Sequence, residues 1–332
     1  MTDTFNNKKV LVTGGTGLIG RQLVKLLLTA GAQVRVVSLD DSSRAHPDAE
    51  FIQANLLDFK TCRDICDGME YVFHLAGIKG SPAMTSQKPA SFFVPTILFN
   101  TNMMEAARQC GVDRYLYTST VGVYAPAEIF YEDDVWLTFP SENDRFAGWA
   151  KRMGELQAEA YMIEFDWRQI AIVRPANVYG PYDNFDPHNA MVIPSLIRRA
   201  LDGERPLNVW GDGTPVRDFI HARDVARGMM LVLEKIPGYP INLGSGKGCS
   251  IREIVDMIVA CMDDPPEIVW DTSKPAGDQK RLMDTTKACA LGFRPEISLQ
   301  DGIREVMDWY ASHRDLIDKR YNVFTENAFY TG

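Results

Sequence analysis

No stretch of this sequence approaches the roughly 20 apolar residues of a membrane-spanning helix, so a helical membrane protein is excluded. Positive charge is also short: 35 Lys and Arg stand against 44 Asp and Glu, a net charge of −9. That balance excludes the broad basic face that nucleic acid or an anionic membrane requires, and an anionic small substrate would need a locally basic pocket. Cysteine is scarce and badly spaced for metal or redox work, since Cys62, Cys66, Cys110, Cys249, Cys261 and Cys289 contain no C-x-x-C pair. The five histidines lack ligand spacing as well, so no metal is expected. The opening MTDTFNNKK has no apolar core of the kind a signal peptide carries, which makes the cytoplasm the expected location. Repeats, linkers and low-complexity tracts are absent too. What is present is length and core: 332 residues, 45% of them hydrophobic, enough for one large α/β domain or two closely joined ones.

The chain is organised around KKVLVTGGTGLIG at 8–20. Val10, Leu11 and Val12 form an apolar run suited to a strand buried on both faces. Gly14, Gly17 and Gly20 follow, and then Leu23, Val24, Leu26 and Leu27 recur at helical spacing. A strand passing through glycines into a helix turns bare backbone N–H groups toward a positive helix end, which is a site for a pyrophosphate. Gly14, Gly17, Leu18 and Ile19 are therefore expected at a dinucleotide.

Further strands are expected at 32–39, 51–53, 71–75, 114–119 and 170–173, with helices at about 90–110 and 146–165. Pro95 should disturb the first of these helices near its start. This alternation argues a doubly wound parallel sheet. Ser38 ends the second strand at the adenosine ribose. Nearby Arg35 and Arg44 tilt the choice of NAD or NADP toward NADP, while Asp40 and Asp41 keep NAD open. Asn55 and Leu56 pass the adenine, and Leu75 and Ala76 let the backbone approach the cofactor. His74, inside its strand, reads as a buried histidine with its hydrogen bonds satisfied. Beyond Arg174 four prolines loosen the rhythm before helices near 195–201, 223–235, 251–262 and 299–313. The expected division is a dinucleotide domain at 1–175, with segments near 215–245 returning to it, and a mainly substrate-binding domain at 176–332.

TGGTGLIG, YTSTVGVY, WAKRMGELQAEAY, RPANVYGPYDNF and GDGTPVRDFIHARDVA occur in the order found in extended short-chain dehydrogenases/reductases, which modify nucleotide sugars. Within them, NLLD, AKRM, GPYDNF, VIPSLIRR and VWGDGTPVRDFIH are most similar to the GDP-fucose synthase group. The resemblance runs from about residue 8 to 315. It implies a Rossmann fold holding NAD or NADP, a smaller C-terminal α/β domain closing on a nucleotide diphosphate-sugar, and a homodimer packed through the helices at 90–110 and 146–165.

The resemblance also implies a hydroxyl residue, a tyrosine and a lysine as proton-handling groups, the last two one helical turn apart on one face. Thr120 matches the hydroxyl residue and Lys151 the lysine, which also binds the nicotinamide ribose. The tyrosine position holds Ala147. The chain is thus a variant that traps a complex, an enzyme with another donor (Tyr124 and Tyr179 being the first tyrosines to test), or a protein that binds without turnover. The Cys and His by which the fucose synthase group exchanges protons beside the ketone are Gly122 and Met191 here. The Asp-Glu of the 4,6-dehydratases is Val121-Gly122. What stays compatible is redox at a sugar hydroxyl, at C4, or 4-epimerisation. Expected substrate contacts are Lys79, Asn177, Asn184, and the two guanidiniums Arg217 and Arg281, whose forks suit a diphosphate. Trp210 is open to base stacking or to core packing, and Asp224 to a helix-start charge or a ligand.

Overall fold

The apolar runs pair side by side into one parallel sheet. In the computed structural model, residues 3–78, 85, 87–274, 278–317 and 321 are described. Strands β1 (Lys9–Thr13), β2 (Gln33–Ser38), β3 (Glu50–Gln53), β4 (Tyr71–His74) and β5 (Arg114–Thr118) alternate with helices α1 (Leu18–Thr29), α2 (Phe59–Cys66) and α3 (Pro89–Gln109). The two-residue β6 (Ile129–Phe130), helix α4 (Arg145–Glu164), β7 (Ile170–Pro175) and β8 (Asn177–Tyr179) follow. Then come α5 (Val192–Leu201), β9 (Leu207–Trp210), β10 (Val216–His221), α6 (Ala222–Lys235) and β11 (Ile241–Leu243). The chain continues through β12 (Gly248–Ser250), α7 (Ile251–Val259), β13 (Ile268–Asp271), β14 (Lys280–Met283), α8 (Thr286–Ala290), α9 (Leu299–Ser312) and α10 (Arg314–Ile317).

The main sheet has the order β11-β7-β5-β4-β1-β2-β3. Strand order reverses between β1 and β4, which places the crevice for a dinucleotide beyond their carboxyl ends. Val10, Leu11 and Val12 have no exposed surface, as a strand covered on both faces requires. One face packs against the apolar stripes of α1 and α6, through residues such as Leu23, Leu27, Val225 and Met229. The other packs against α2, α3 and α4, through Cys62, Met103 and Ala158. A third core joins α5, α7 and α9 with β9 under the later half of the chain.

A second sheet has the order β12-β10-β14-β6, with β8 beside β10. β10 lies in this sheet, while α6 and β11 return to the first. β6 leaves the first half of the chain to pair with β14 through Leu282↔Ile129 and Met283↔Phe130. Some boundaries differ from the sequence pattern. α3 runs unbroken through Pro95, with Phe92 and Thr96 on either side buried in the core. α5 begins at Val192 because Pro194 falls in its first turn, where its missing N–H costs nothing. α7 ends at Val259.

Candidate functional site

At the crevice the chain offers backbone where an anion would sit. Gly14 adopts φ +70, and a Cβ there would press on the backbone N and Cα of Ala76 at 3.0 Å. A Cβ on Gly20 would run into the Gly14 carbonyl, so the helix can approach its own loop only without one. Gly17 caps α1 without any side-chain hydrogen bond. The N–H groups of the first turn therefore have no intrahelical partner and face the loop. Leu18 is buried and Ile19 packs on the core, so what they present to the loop is backbone. Leu75 N donates to the Thr13 carbonyl and Ala76 N to Thr13 Oγ1, each at 3.2 Å, which fixes the opposite lip. An uncapped helix end behind glycines that tolerate no Cβ fits a dinucleotide pyrophosphate.

The end of β2 carries one buried acid beside one buried base. Thr16 Oγ1 lies 2.8 Å from Ser38 Oγ and 2.6 Å from Asp40 Oδ2, and both Thr16 and Asp40 are buried. Arg44 Nε stands 3.5 Å from that same carboxylate. Arg35 is directed to Glu50 at 2.9 Å and to the Ile65 carbonyl. Ala54 N donates to the Ser38 carbonyl, which sets Asn55 and Leu56 beside the end of β2. Asn55 Oδ1 accepts from Leu57 N at 3.1 Å, and Asn102 holds the Leu56 carbonyl.

The centre of the crevice is built by β5 and α4. A Cβ on Gly148 would meet the Gly122 carbonyl and the Pro140 ring, so this glycine lets α4 close on the turn after β5. Thr120 begins that turn, its Oγ1 accepting from Gly122 N at 3.2 Å. Lys151 Nζ donates to the Thr118 carbonyl at 2.9 Å and lies 5.2 Å over the Tyr117 ring. Burial pulls the Lys151 ammonium down to about 8, against the opposing pull of Glu155. Ala147 is half-buried one turn before it, and Phe146 turns away to meet Phe93 edge-on.

A buried polar network supports this floor. Ser119 Oγ donates to Glu155 Oε1 at 2.5 Å, and Glu155 takes both arms of Arg174, at 3.0 and 2.6 Å. Arg174 reaches on to the Tyr124 hydroxyl, which donates to Asn242 Oδ1 at 2.5 Å. Tyr124 is thereby committed, and burial raises its pKa. Tyr179 is raised for the same reason and is packed against Gly302. Neither has a hydroxyl free for a substrate. His74 is satisfied as its sequence setting indicates, between Thr13 Oγ1 and Asn100 Oδ1, and burial lowers its pKa to about 3.

The second sheet contributes cations. β10 and β14 run parallel with Arg217 directly opposite Arg281, so the two guanidiniums share one face. Arg217 donates to the Asp278 carbonyl at 2.6 Å, and burial together with the neighbouring Arg281 holds its pKa below the usual arginine value. Arg281 donates to Asp144 Oδ2 at 2.8 Å, joining the sheet to the start of α4. Asn177 Nδ2 donates to the Asp218 carbonyl at 2.9 Å, next to Arg217. Asn184 lies apart, its side chain holding its own loop through Asp186 N and the Asn189 carbonyl. Asp224 is used structurally, accepting from Arg227 and from the N–H groups of Glu296 and Ile297. Trp210 is 63% exposed, so it does not serve the core. Lys79 lies outside the described residues.

Sequence reasoning missed Asp144, Ser119 and the Glu155–Arg174 pair. The available signal was Arg174 ending the otherwise apolar strand IAIVRP, since a cation in a buried strand needs a buried partner.

Residues 10–244 match the model of the NAD dependent epimerase/dehydratase family. GDP-L-fucose synthase 1 of Arabidopsis thaliana is 31% identical over 314 residues, 91% of this chain and 93% of the relative. Among solved structures, an epimerase of Methanothermobacter thermautotrophicus superposes with a TM-score of 0.85 at 27% identity, covering 96% of each chain. The UDP-glucose 4-epimerase of Thermus thermophilus in complex with NAD gives 0.78 at 26% identity, over 92% of this chain and 99% of that one.

Proposed function

The chain belongs to the NAD-dependent epimerase/dehydratase family, and from that premise we propose that it binds NAD or NADP and a nucleotide diphosphate-sugar, tried first as a GDP-sugar. The observation carrying the substrate half of this reading is the Arg217–Arg281 pair, two guanidiniums on one sheet face in a protein of net charge −9. The reaction is redox at a sugar hydroxyl, C4, or 4-epimerisation. Gly122 and Met191 supply no acid or base for exchange at the neighbouring carbons.

When bound, the nicotinamide would exchange a hydride with the sugar carbon. Gly14, Gly17 and the first N–H groups of α1 would hold its pyrophosphate, and Lys151 its ribose. Thr120 would hydrogen-bond the reacting hydroxyl. Asp40 favours a ribose 2′-hydroxyl, and hence NAD, whereas Ser38 with Arg44 leaves room for NADP. Ala147 supports a second reading, in which the protein binds both ligands without turnover. Purified protein given the dinucleotide and then GDP- and UDP-linked sugars separates the two: a change in nicotinamide absorbance establishes turnover, and binding alone leaves the second reading.

The active unit is a homodimer formed by α3 and α4, which expose Val94, Leu98, Leu156 and Ile163. Light scattering should return twice the chain mass, and Ile163→Glu, placed on a residue 77% exposed, should return the monomer.

A further inference from the structure

Asp144 lies beside Gly122. A Cβ built on Gly122 would lie 3.4 Å from Asp144 Cβ and 3.5 Å from its Oδ1. The carboxylate thus faces the turn begun by Thr120, three residues before Ala147 at the start of the same helix. Its other oxygen, Oδ2, pairs with Arg281 at 2.8 Å, and Ser141 Oγ stands 3.2 Å away. Arg281 is also 3.7 Å from Asp278 and sits across from Arg217 on the neighbouring strand. Two arginines with two carboxylates make a balanced cluster, and a diphosphate entering it brings more negative charge than Asp144 can offer.

We propose that Asp144 is the proton-transfer group of this site, held by Arg281 until the substrate's diphosphate takes the arginine. The inference rests on the nucleotide-sugar reading above. In the forward step the sugar O–H bond breaks and its proton passes to the released carboxylate, directly or through one water. The carbon loses hydride to NAD(P)+, so the alcohol is oxidised to the ketone and the dinucleotide reduced. In the reverse step the same carboxyl returns the proton. A carboxylate so released replaces the phenol that Ala147 lacks, and its release is tied to binding of the correct substrate.

Calorimetry with GDP and with UDP, each without sugar, gives the first measurement. Asp144→Asn should tighten the bound nucleoside diphosphate by about 5-fold, because the arginine no longer has to leave a carboxylate. Asp144→Glu, which keeps the charge, should stay near wild type. Were Asp144 only a support for Arg281, the Asn variant would bind less tightly, and that result overturns the proposal, as does unchanged affinity. The second measurement is the pH profile of turnover with a nucleotide sugar. The acid limb should disappear in Asp144→Asn with a loss of about 10²-fold or more. A preserved acid limb, or no turnover by the wild type with sugar bound, also overturns it. If the wild type binds neither dinucleotide nor nucleoside diphosphate, the nucleotide-sugar reading itself falls, and this inference with it.

Discussion

The two walls of the crevice are made of different materials. The wall expected to hold the cofactor is backbone: Gly14 and Gly17 between β1 and α1, Gly20 in the first turn of α1, and Ala76 opposite, just past β4. The wall expected to hold the substrate is side chain: Arg217, Arg281 and Asp144, brought together from β10, β14 and the start of α4. A backbone cradle has no freedom to adapt, since a single methyl group overlaps another part of the chain. A cluster of long charged side chains can exchange partners. The first wall therefore answers to sterics and the second to charge, and substitutions should divide along that line.

The largest effect is expected on the backbone wall. Gly20→Val places carbon where the Gly14 carbonyl already is, so dinucleotide affinity should fall by at least about 100-fold in calorimetry. Circular dichroism of the same sample checks that the fold persists, because the rest of α1 is held by Leu23, Val24 and Leu27. A folded variant that still binds would break the comparison.

On the side-chain wall the response should be graded and selective. Arg217→Ala removes a partly buried fork and should weaken a nucleoside diphosphate by about 10- to 100-fold. Added salt should narrow the gap between wild type and variant. Dinucleotide affinity should not move. A loss shared by both ligands would mean that the walls are coupled and not separate.

The same contrast explains what could be read from the sequence. The glycines of the cradle lie within one short stretch, and their signal, apolar run then glycines then helical spacing, is local. The sheet follows from similar runs, and β11 was recognisable as a return to it. The substrate wall is assembled over long separations: Asp144 and Arg281 are 137 positions apart, and Lys280 and Arg281 reach their place only because β14 lies between β10 and β6. No local pattern states such pairings. The arginines could be nominated from their motif, whereas Asp144, an ordinary acid before an amphipathic helix, could not. Tyr124 and Tyr179 show the opposite failure. Each has the right chemistry on paper, and burial removes each from the site.

Lys151 lies where the two walls meet, and the effect expected there is on folding stability. Burial holds its folded pKa at about 8, while an unfolded chain returns it to an ordinary lysine value of about 10.4. Between those values the unfolded state binds more protons than the folded one, so folding stability rises with pH across that window. Below pH 8 both states carry the proton, and the burial penalty is present in full and independent of pH. Lys151→Met lacks the titrating group but keeps a chain of similar length over the Tyr117 ring. Urea unfolding of both proteins at about pH 7 and about pH 10 should show the wild type gaining about 2.5 kcal/mol on the variant over that interval. Equal pH dependence in the two proteins would show that the ammonium is solvated in the folded state. The Thr118 carbonyl at 2.9 Å would then be a passing contact for Lys151, and no lysine would be poised at the junction of the two walls.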